Sequence, residues 1–450
     1  MNTINTDILI CGAGAAGLTL AIDLARRHVD FVLVDKIEGP FSGSRGKGIQ
    51  PRSLEILEAL GVADRMVAAG GPYPPQRKYR ADGGYEEQPS TEGAAPSPAE
   101  PYGQPLMLPQ YLTEGVLRER LAELGHAPRF GHELTGFEQD SDGVTARLAC
   151  ADGATTTVRA RYVVGADGGR SFVRKALAID FPGELMKMRA LVADLSLDGL
   201  GRDAWHRWGD GPGQISLCPL MGTDLFQLQM PVPLTGDIDT SDAGLAAIIA
   251  ARTGRADIVL HAVHWFSAYE MSSRLAERYR AGRVFIAGDA AHIHPPTGGQ
   301  GLNTSVQDAW NLGWKLAAVL DGAPDALLDT YEVERREVAA GMLGLSSKLL
   351  EAARTRGDLR RGRETQQLDL GYRPSPLAHG RARRRRHRAR RRPRAGRALS
   401  RCGRSVCTPI HYVERWRLDL AAIRAGQGYE DRAAQGRQDR RCRTERRAAR

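Results

Sequence analysis

The sequence predicts an α/β protein in which a Rossmann-like nucleotide-binding domain is interleaved with a second domain built on a sheet. The first part of this prediction depends on three strand-turn-helix segments, at residues 6–28, 162–174 and 284–320. The second part depends on residues 181–274, where short alternating strands are separated by turns. The sequence therefore predicts that the second domain is inserted between two parts of the nucleotide-binding domain.

The first segment places a glycine-rich turn between a strand and a helix. An apolar strand from Thr6 to Cys11 precedes the turn GAGAAG at residues 12–17, and a helical pattern continues to about His28. A second strand ends at Asp35, 23 residues beyond the first glycine of the turn. The glycines let a pyrophosphate approach the helix N-terminus, and the acid can accept from ribose hydroxyls. The segment predicts a bound dinucleotide, either FAD or NAD.

The second segment is a strand that ends at Asp167, followed by two glycines and a short helix. Ser171 stands where it can cap that helix. Taken alone, an aspartate-glycine turn between core elements explains this segment as well as a ligand site does.

The third segment, GDAAHIHPPTGGQGLN at residues 288–303, lies between a strand at 284–287 and a helix at 302–320. The strand delivers the Asp289 carboxylate, two prolines stiffen the turn, and glycines let the backbone approach a flat ligand. Free N–H groups at the start of the helix favour negative charge, which the pyrimidine edge of a reduced flavin carries. The alternative is a proline-glycine turn that only connects core elements. The segment favours a flavin site.

In this order the three segments resemble the glycine, aspartate-glycine and glycine-aspartate motifs of the class A FAD-dependent aromatic hydroxylases. The resemblance covers residues 6 to about 378. Asp35 departs from it, because the FAD-binding members more often have glutamate at this position. Further matches are Ser44-Arg45-Gly46 leading into 51–57, Leu108-Pro109-Gln110, 331–336 and 367–372.

The resemblance implies a role for each matching residue. Pro295 and Pro296 would line the site of oxygen transfer, and no metal site is expected. The implied cofactor-binding residues are Gly12, Gly14, Ala15, Ala16 and Gly17 at the FAD pyrophosphate, Asp35 with Lys36 at the adenosine ribose, Arg45 and Gln110 at further parts of FAD, Asp167 at both FAD and NADPH, Asp289 at the ribityl chain, and Gly301, Leu302 and Asn303 at the flavin ring.

The implied reaction is hydroxylation of a phenolic or polycyclic, polyketide-like aromatic ring. NADPH or NADH reduces the flavin, oxygen adds to form a flavin hydroperoxide, and its distal oxygen is transferred to the ring. The protein positions the ring and excludes water. A phenol reacts faster once it loses its proton, but no side chain stands out as the base. The candidates are His206, Tyr102, Gln229 and His264, while His292 and His294 are more typical of structural histidines.

A different redox reaction on the same architecture, reductase or halogenase-like, is the main alternative. The Trp-x-Trp-x-Ile-Pro signature of flavin halogenases is absent, since the tryptophans of Trp205-His206-Arg207-Trp208 are wrongly spaced. The hydroxylase interpretation is therefore preferred.

The motifs also set the expected domain boundaries. Within the second domain, strands are predicted at 189–195, 214–219, 225–231 and 263–269, and those at 214–231 should face the substrate. The predicted FAD-binding domain comprises 1–75, 105–180 and 275–355, the substrate domain 76–104 and 181–274, and the linker 356–380.

Charge divides the chain into two parts. The net charge is +10, but residues 381–450 alone carry +18, from 24 arginines and six acids, so the first 380 residues carry −8. Such a tail is predicted to be disordered, and a basic run can bind nucleic acid. Residues 381–450 contain no lysine, however, and the resemblance ends near Leu377. We interpret the tail as a frameshifted remnant of a thioredoxin-like domain, and a nucleic-acid-binding flavoprotein is the least favoured function.

The remaining features predict a cytoplasmic protein. The N-terminal apolar stretch lacks a basic n-region and contains Asp7 and Asp23, and no uncharged segment reaches transmembrane length. The six cysteines lack metal-type spacing, and three are far apart in the body, which suits reduced thiols. We expect a monomer or homodimer whose partners are an aromatic small molecule, oxygen and NAD(P)H, with neither membrane nor nucleic acid.

Overall fold

Strands and helices alternate along the part of the chain that the structure, a computed structural model, describes. That part comprises residues 3–93, 95–356 and 361–378, with the backbone alone for 353–356. The strands are β1 (Thr3–Cys11), β2 (Phe31–Val34), β3 (Gly48–Ile49), β4 (Gly71–Pro72), β5 (Gln76–Tyr79), β6 (Tyr85–Gln88), β7 (Leu106–Met107), β8 (His132–Gln139), β9 (Val144–Cys150), β10 (Thr155–Gly165), β11 (Gly183–Asp198), β12 (Trp205–Trp208), β13 (Ile215–Pro219), β14 (Phe226–Val232), β15 (Val259–Leu275), β16 (Arg280–Ala281), β17 (Val284–Ile286) and β18 (His292–Ile293). The helices are α1 (Ala15–Arg26), α2 (Pro51–Ala59), α3 (Ala63–Ala69), α4 (Gln110–Glu123), α5 (Phe172–Ala176), α6 (Asp242–Thr253), α7 (Gly301–Leu320) and α8 (Ala326–Arg356).

A seven-stranded sheet forms the predicted nucleotide-binding part. Its main order is β16-β17-β10-β1-β2, and β9 and β8 extend it from β10. The strands β17, β10, β1 and β2 run parallel, and β2 and β17 are buried along their whole length. Cys11 pairs with both Val34 and Gly165, and Gly165 pairs with Ile286. The carboxyl ends of these four strands therefore share one edge, where α/β sheets bind ligands.

The helices of this part pack around that sheet. Helix α1 is buried along almost its whole length and packs against α7, which also packs against α8. Because α7 follows the third motif directly, its position brings that motif beside the glycine-rich turn before α1. The predicted strand-turn-helix segments and the α/β fold class are confirmed.

An eight-stranded sheet forms the second part, in the order β18-β15-β11-β14-β13-β12-β5-β6. Its strands are antiparallel except for the parallel pair β12 and β5. One face, which we call the outer face, is apolar and packs against α6 through Leu245 and Ile249. The opposite, inner face is polar and carries Asp194, Ser216, Gln227 and Gln229. Alternation along each strand separates the two faces.

Several elements of this second part were absent from the sequence prediction. In residues 76–104, which were assigned to the substrate domain without a predicted strand, β5 and β6 form a hairpin that joins the sheet. Strand β12 was not recognised either. Helix α6 lies in a region predicted to contain only strands and turns, although the Ser241 side chain caps it and Gly254 ends it with a φ of 68°.

The other predictions about organisation have different outcomes. The helix predicted at 302–320 is α7, and α8 follows it after residues 321–325. Residues 379–450, which include the whole arginine-rich tail, lie outside the described residues, as does part of the predicted linker. The domain boundaries stay predictions. Among the described residues, none of the helices is both long enough and apolar enough to cross a membrane.

Candidate active site

The first two motifs meet at the shared edge of the seven-stranded sheet. Gly12 has a φ of 111°, and a Cβ atom there would collide with the carbonyl of Ala166. A Cβ atom on Gly17 would collide in turn with the carbonyl of Gly12. Only glycine allows this turn to pack so closely, so the structure explains both residues physically. The turn also places the first motif directly against Asp167.

Asp35 holds the glycine-rich turn from the neighbouring strand. Its Oδ2 accepts from the backbone N–H of Ala13 at 2.7 Å, and its Oδ1 accepts from that of Ile37 at 3.1 Å. Each oxygen has a second lone pair, which a ribose hydroxyl can use. Helix α1 begins after Gly14 without a side-chain cap, which leaves its first N–H groups suited to a pyrophosphate. Lys36 lies exposed beside them.

Asp167 has a structural function in the second motif. Its Oδ1 accepts from the Ser171 hydroxyl at 2.5 Å, and its Oδ2 accepts from the N–H groups of Phe172 and Val173 at 2.7 and 3.1 Å. Ser171 itself accepts from the N–H of Arg174 at 3.0 Å, as the sequence predicted. The carboxylate is thus oriented by the start of α5. A direct contact of Asp167 with FAD or NADPH stays a prediction.

Asp289 lies in a short 3₁₀ turn just beyond β17. Protein surrounds the side chain, and this burial raises the pKa of its carboxyl, although His292 and Arg45 act in the opposite direction. The same side chain is nevertheless exposed, so it lines an opening rather than the core. No donor among the described residues binds it. Its oxygens can therefore accept charge-assisted hydrogen bonds from a ligand.

The start of α7 is tied to the segment 44–50. The Asn303 amide donates to the carbonyl of Gly48 at 2.9 Å and accepts from the N–H of Gln50 at 2.7 Å. No side chain caps this end of the helix. The first N–H groups, at Gly301, Leu302 and Asn303, therefore suit an electron-rich ligand edge.

Arg45 and Gln110 are the two further residues that the resemblance assigns to FAD. The guanidinium of Arg45 is exposed and stacks 5.0 Å from the centre of the Phe41 ring. The Gln110 amide donates to Glu114 at 2.8 Å, and its oxygen lies 3.7 Å from where a Cβ atom of Gly46 would stand. Gly46 and Gln110, which belong to two of the matching segments, thus lie close to Leu302 at the start of α7.

Pro295 is buried and Pro296 is exposed, and a buried polar chain holds the loop that contains them. His292 bonds to Asp308 at 2.6 Å and to His294 at 3.0 Å, and Asp308 accepts from Arg335 at 2.7 Å. Burial alone would raise the pKa of Asp308, but the interactions with His292 and Arg335 lower it. Burial lowers the pKa of His294 well below its usual range, so this imidazole is neutral. The contacts of both histidines agree with the expected structural role.

The four candidate bases differ in their surroundings. His206 lies on the outer face with both nitrogens engaged, by Tyr79 at 2.9 Å and the carbonyl of Gly201 at 2.8 Å. His264 is exposed beside Ser196, and burial raises the pKa of Tyr102 to about 12. Gln229 lies on the inner face, where it donates to Gln227 at 2.6 Å. His206 is therefore a structural residue of the sheet, and Gln229 is the candidate best placed to face a ligand.

Sequence analysis missed the residues that join the inner face to the segment 44–50. The backbone N–H of Ser44 donates to Asp194 at 2.9 Å, and its hydroxyl accepts from Gln227 at 2.7 Å. Lys47 is buried and donates to the oxygen of the same Gln227 amide at 2.8 Å. The position of Lys47 between Gly46 and Gly48, next to a matched motif, was the one sequence feature that could have indicated a place near the ligand site.

Glu114 is a second residue that sequence analysis missed. Its carboxyl lies 3.6 Å from where a Cβ atom of Gly14 would stand, and burial raises its pKa. The side chain thus borders the glycine-rich turn, and its interaction with Gln110 links that turn to the region beside α7.

Comparison with known proteins identifies the family. A profile described as an FAD binding domain matches residues 5–346, about three quarters of the chain. The chain belongs to this family of FAD-dependent monooxygenases. It is 43% identical over 383 residues to a flavin-dependent monooxygenase of Mycobacteroides abscessus, with 82% of this chain and 79% of the relative covered.

Two further comparisons place aromatic hydroxylases among its relatives. The chain is 38% identical to a 12-dehydrotetracycline 5-monooxygenase/anhydrotetracycline 6-monooxygenase of Streptomyces rimosus, covering 75% of this chain and 68% of the relative. The crystal structure of the flavin-dependent monooxygenase PieE, in complex with FAD and substrate, superposes with a TM-score of 0.72 at 30% identity and covers 86% of this chain and 71% of that one. The resemblance to FAD-dependent aromatic hydroxylases, and the expectation of an enzyme that uses FAD, are confirmed.

The residues at the sheet edge fit FAD. A Cβ atom on Gly12 or Gly17 would collide with backbone, two helices present uncapped N-termini, and Asp289 offers an exposed carboxylate that no described donor binds. These are the groups that a pyrophosphate, a flavin ring and a ribityl chain require. The role of each individual residue stays a prediction.

Proposed function

We propose that this chain hydroxylates a polycyclic phenol, with NADPH or NADH as the electron donor. The observation that carries the proposal is the junction between the two sheets. Ser44 and Lys47 on the segment 44–50 bond to the polar inner face of the second sheet, while Gly48 and Gln50 of the same segment bond to Asn303 at the start of α7. A substrate bound between the inner face and the predicted flavin site would contact the polar groups of that face and also lie next to the flavin.

The relatives indicate the size of the substrate. The Streptomyces relative is named for tetracycline precursors, which are fused polycyclic rings with acidic hydroxyls. The inner face offers this class of molecule amide groups at Gln227 and Gln229 and an indole at Trp205. Pockets of this kind combine aromatic surface with a few polar groups that orient the ligand.

FAD, when bound, accepts a hydride from the nicotinamide and activates oxygen, so that one oxygen atom enters the ring and the other leaves as water. The chain's own residues then have three tasks. The turn at 12–17, Asp35 and Asp289 hold the cofactor, and the start of α7 stabilises negative charge at the flavin ring. Pro295 and Pro296 shape the place of transfer. The inner face orients the ring and excludes water.

The proposal is tested with the purified, FAD-loaded full chain. A panel of single-ring and polycyclic phenols is screened for stimulation of NADPH and NADH oxidation, and products are analysed by mass spectrometry under isotopically labelled oxygen. We expect at least one polycyclic phenol to raise the oxidation rate and to gain one labelled oxygen atom. Hydrogen peroxide is measured in parallel to detect uncoupled turnover.

Two results would contradict the proposal. One is that no phenol raises nicotinamide oxidation above the rate without substrate. The other is that the product contains oxygen from water, or contains a reduced double bond or a halogen instead. The latter outcome would favour the reductase or halogenase-like alternative on the same fold.

A further inference from the structure

Lys47 is a buried ammonium group without an acidic partner. Its side chain is 7% exposed, and no carboxylate among the described residues forms an ion pair with it. It donates to the Gln227 amide at 2.8 Å and lies within hydrogen-bonding reach of the Cys218 thiol. An ammonium has three donors, so these contacts leave one unused. Lysines are almost never fully buried without a partner, because desolvation of the charge is costly.

The surroundings of Lys47 suit an aromatic ligand. Its ammonium stands 4.1 Å from the centre of the Trp205 ring, and Trp205 packs with Met107, Cys218 and Tyr73. Trp205 is 95% buried, and its indole N–H has no hydrogen-bond partner. Buried indole N–H groups are normally bonded, so this orphan donor is a second and independent sign of a missing acceptor. The Lys47 ammonium and the Trp205 indole N–H are therefore two neighbouring donors in largely apolar surroundings.

The lysine also lies next to the predicted flavin site. Its neighbour Gly46 approaches Leu302, and its neighbour Gly48 accepts from Asn303 at 2.9 Å. Both of these residues belong to the first turn of α7. A ring that reaches the Lys47 ammonium from the inner face would thus be close to the place where oxygen is transferred.

We propose that Lys47 and the Trp205 indole N–H bind the ionised hydroxyl of a phenolic substrate. This inference rests on the proposed function and names the missing group that activates its substrate. The phenol O–H bond breaks, its electron pair stays on oxygen, and the proton goes to water or to the Lys47 amine. The bound state in either case is an ammonium–phenolate pair, and the ionised ring is the more electron-rich one.

Physical chemistry favours this pair at this position. A phenolate supplies the ion-pair partner that this ammonium lacks among the described residues, and the attraction is strong because the site is buried. An opposite charge nearby favours the ionised form of a phenol and lowers its pKa. The other charged or titratable groups around Lys47 are Asp194 and Cys218 on the sheet, Arg361, and Tyr73 beneath the Arg361 guanidinium. Burial lowers the pKa of Lys47 itself.

The experiment measures the ionisation of a bound probe rather than turnover. The probes are 4-nitrophenol and alizarin, a single-ring and a polycyclic phenol whose absorption changes when the hydroxyl ionises. Each is titrated with pH in the presence of the FAD-loaded full chain, by difference spectroscopy. For at least one probe we expect the bound form to ionise at least about one pH unit below the free form, a tenfold shift of the equilibrium.

Three variants separate the contributions. Lys47→Met keeps length and removes charge, and we expect the ionisation shift to vanish and affinity for the ionised probe to fall at least about tenfold. Trp205→Phe keeps the ring and removes the N–H, so it should weaken binding less. Lys78→Met, which removes an exposed lysine paired with Asp210 in the same sheet, should behave like the parent. Fluorescence titration of FAD should give the same affinity in all four proteins.

Each contrary result overturns the inference. The inference is wrong if the parent protein binds neither probe, or binds both without an ionisation shift. It is also wrong if Lys47→Met retains the ionisation shift. Lost FAD affinity in Lys47→Met would assign the lysine to the cofactor instead. The proposed function fails separately, when the probes ionise as expected but no phenol stimulates nicotinamide oxidation. If Lys47→Met does not fold, the parent's ionisation shift and the Trp205→Phe variant still decide the question.

Discussion

Two cations, Arg335 and Lys47, are both buried but have opposite surroundings. Arg335 is fully buried, and its guanidinium bonds to Asp308 at 2.7 Å, to the Tyr372 hydroxyl at 3.1 Å and to the carbonyl of Thr304 at 3.3 Å. Lys47 has an amide, a ring face and a thiol. The comparison teaches that burial alone does not reveal a charge's purpose. A cation whose partners are all protein groups holds the fold, and one without a counter-charge is suited to a ligand.

Breaking the satisfied cation should have the largest effect. Asp308→Asn keeps the shape of the side chain but removes the charge that Arg335 and His292 share. Leaving a buried cation uncompensated costs about 3–5 kcal/mol, so we expect the free energy of unfolding to fall by that amount in denaturant titrations. The exposed Asp210→Asn is the control and should change stability by less than about 0.5 kcal/mol. A loss below about 1 kcal/mol in Asp308→Asn would show that the network is not held by charge.

Asp289 is the anionic counterpart of Lys47, since no protein donor pairs with it. Asp289→Ala should leave the cofactor-free protein folded and raise the dissociation constant of FAD about 10- to 150-fold, which corresponds to one charge-assisted hydrogen bond of roughly 1.5–3 kcal/mol. Asp289→Asn, which keeps one acceptor, should lie between this variant and the parent. Fluorescence titration of FAD checks the order. Equal affinity in the parent and Asp289→Ala would remove this residue from the cofactor site.

Removing the unsatisfied cation should stabilise the cofactor-free protein by a smaller amount. Burial lowers the pKa of Lys47 from 10.5, so the unfolded chain binds more protons between the lowered value and 10.5, and the parent gains stability as the pH rises through that window. Lys47→Met eliminates this dependence, and Gln227 keeps a donor in Gln229. We expect the variant to be more stable than the parent at pH 7. The difference in the free energy of unfolding should shrink towards pH 10.5. A difference that stays constant at every pH would show that it does not come from the ionisation of Lys47.

A third cationic region, the arginine-rich tail, should matter least. It carries a net charge of +18, and the family motifs all lie before residue 379. A chain that ends at Leu377 should keep the FAD content and the substrate-dependent oxidation of the full chain, because any attraction between the tail's charge and NADPH should be screened at physiological salt. The comparison uses absorption spectra and turnover of both proteins at the same ionic strength. Normal FAD loading with lost turnover would give the tail a function and exclude the frameshift interpretation.

Sequence reasoning succeeded where the physical cause is local. The GAGAAG turn, Asp35 and the loop around Asp289 could be placed because strand, turn and helix follow one another within 30 residues. Ser171 as a cap depends on its own helix alone. For the same reason, the start of α7 was predicted to within one residue.

The part that sequence reasoning missed depends on contacts between distant segments. Lys47 bonds to Gln227, which is 180 residues away in the sequence, and Ser44 bonds to Asp194, which is 150 residues away. Nothing near Lys47 in the sequence announces that its side chain is buried. Likewise, Trp205 was considered only as part of a halogenase signature, because the strand that buries it is four residues long and pairs parallel with β5.

The parallel pairing of β5 with β12 has a consequence for synthesis of the chain. Gln76 pairs with Trp205, so the hairpin of β5 and β6 leaves the ribosome long before its neighbouring strand exists. The delay is about 130 residues, or roughly ten seconds at translation rates of about 5–20 residues per second. During that time the edge of β5 that β12 will cover has backbone groups without their partner, and such edges invite pairing with other chains. The second sheet thus has an unpaired strand edge during synthesis, and faster translation of residues 89–204 should shorten its exposure.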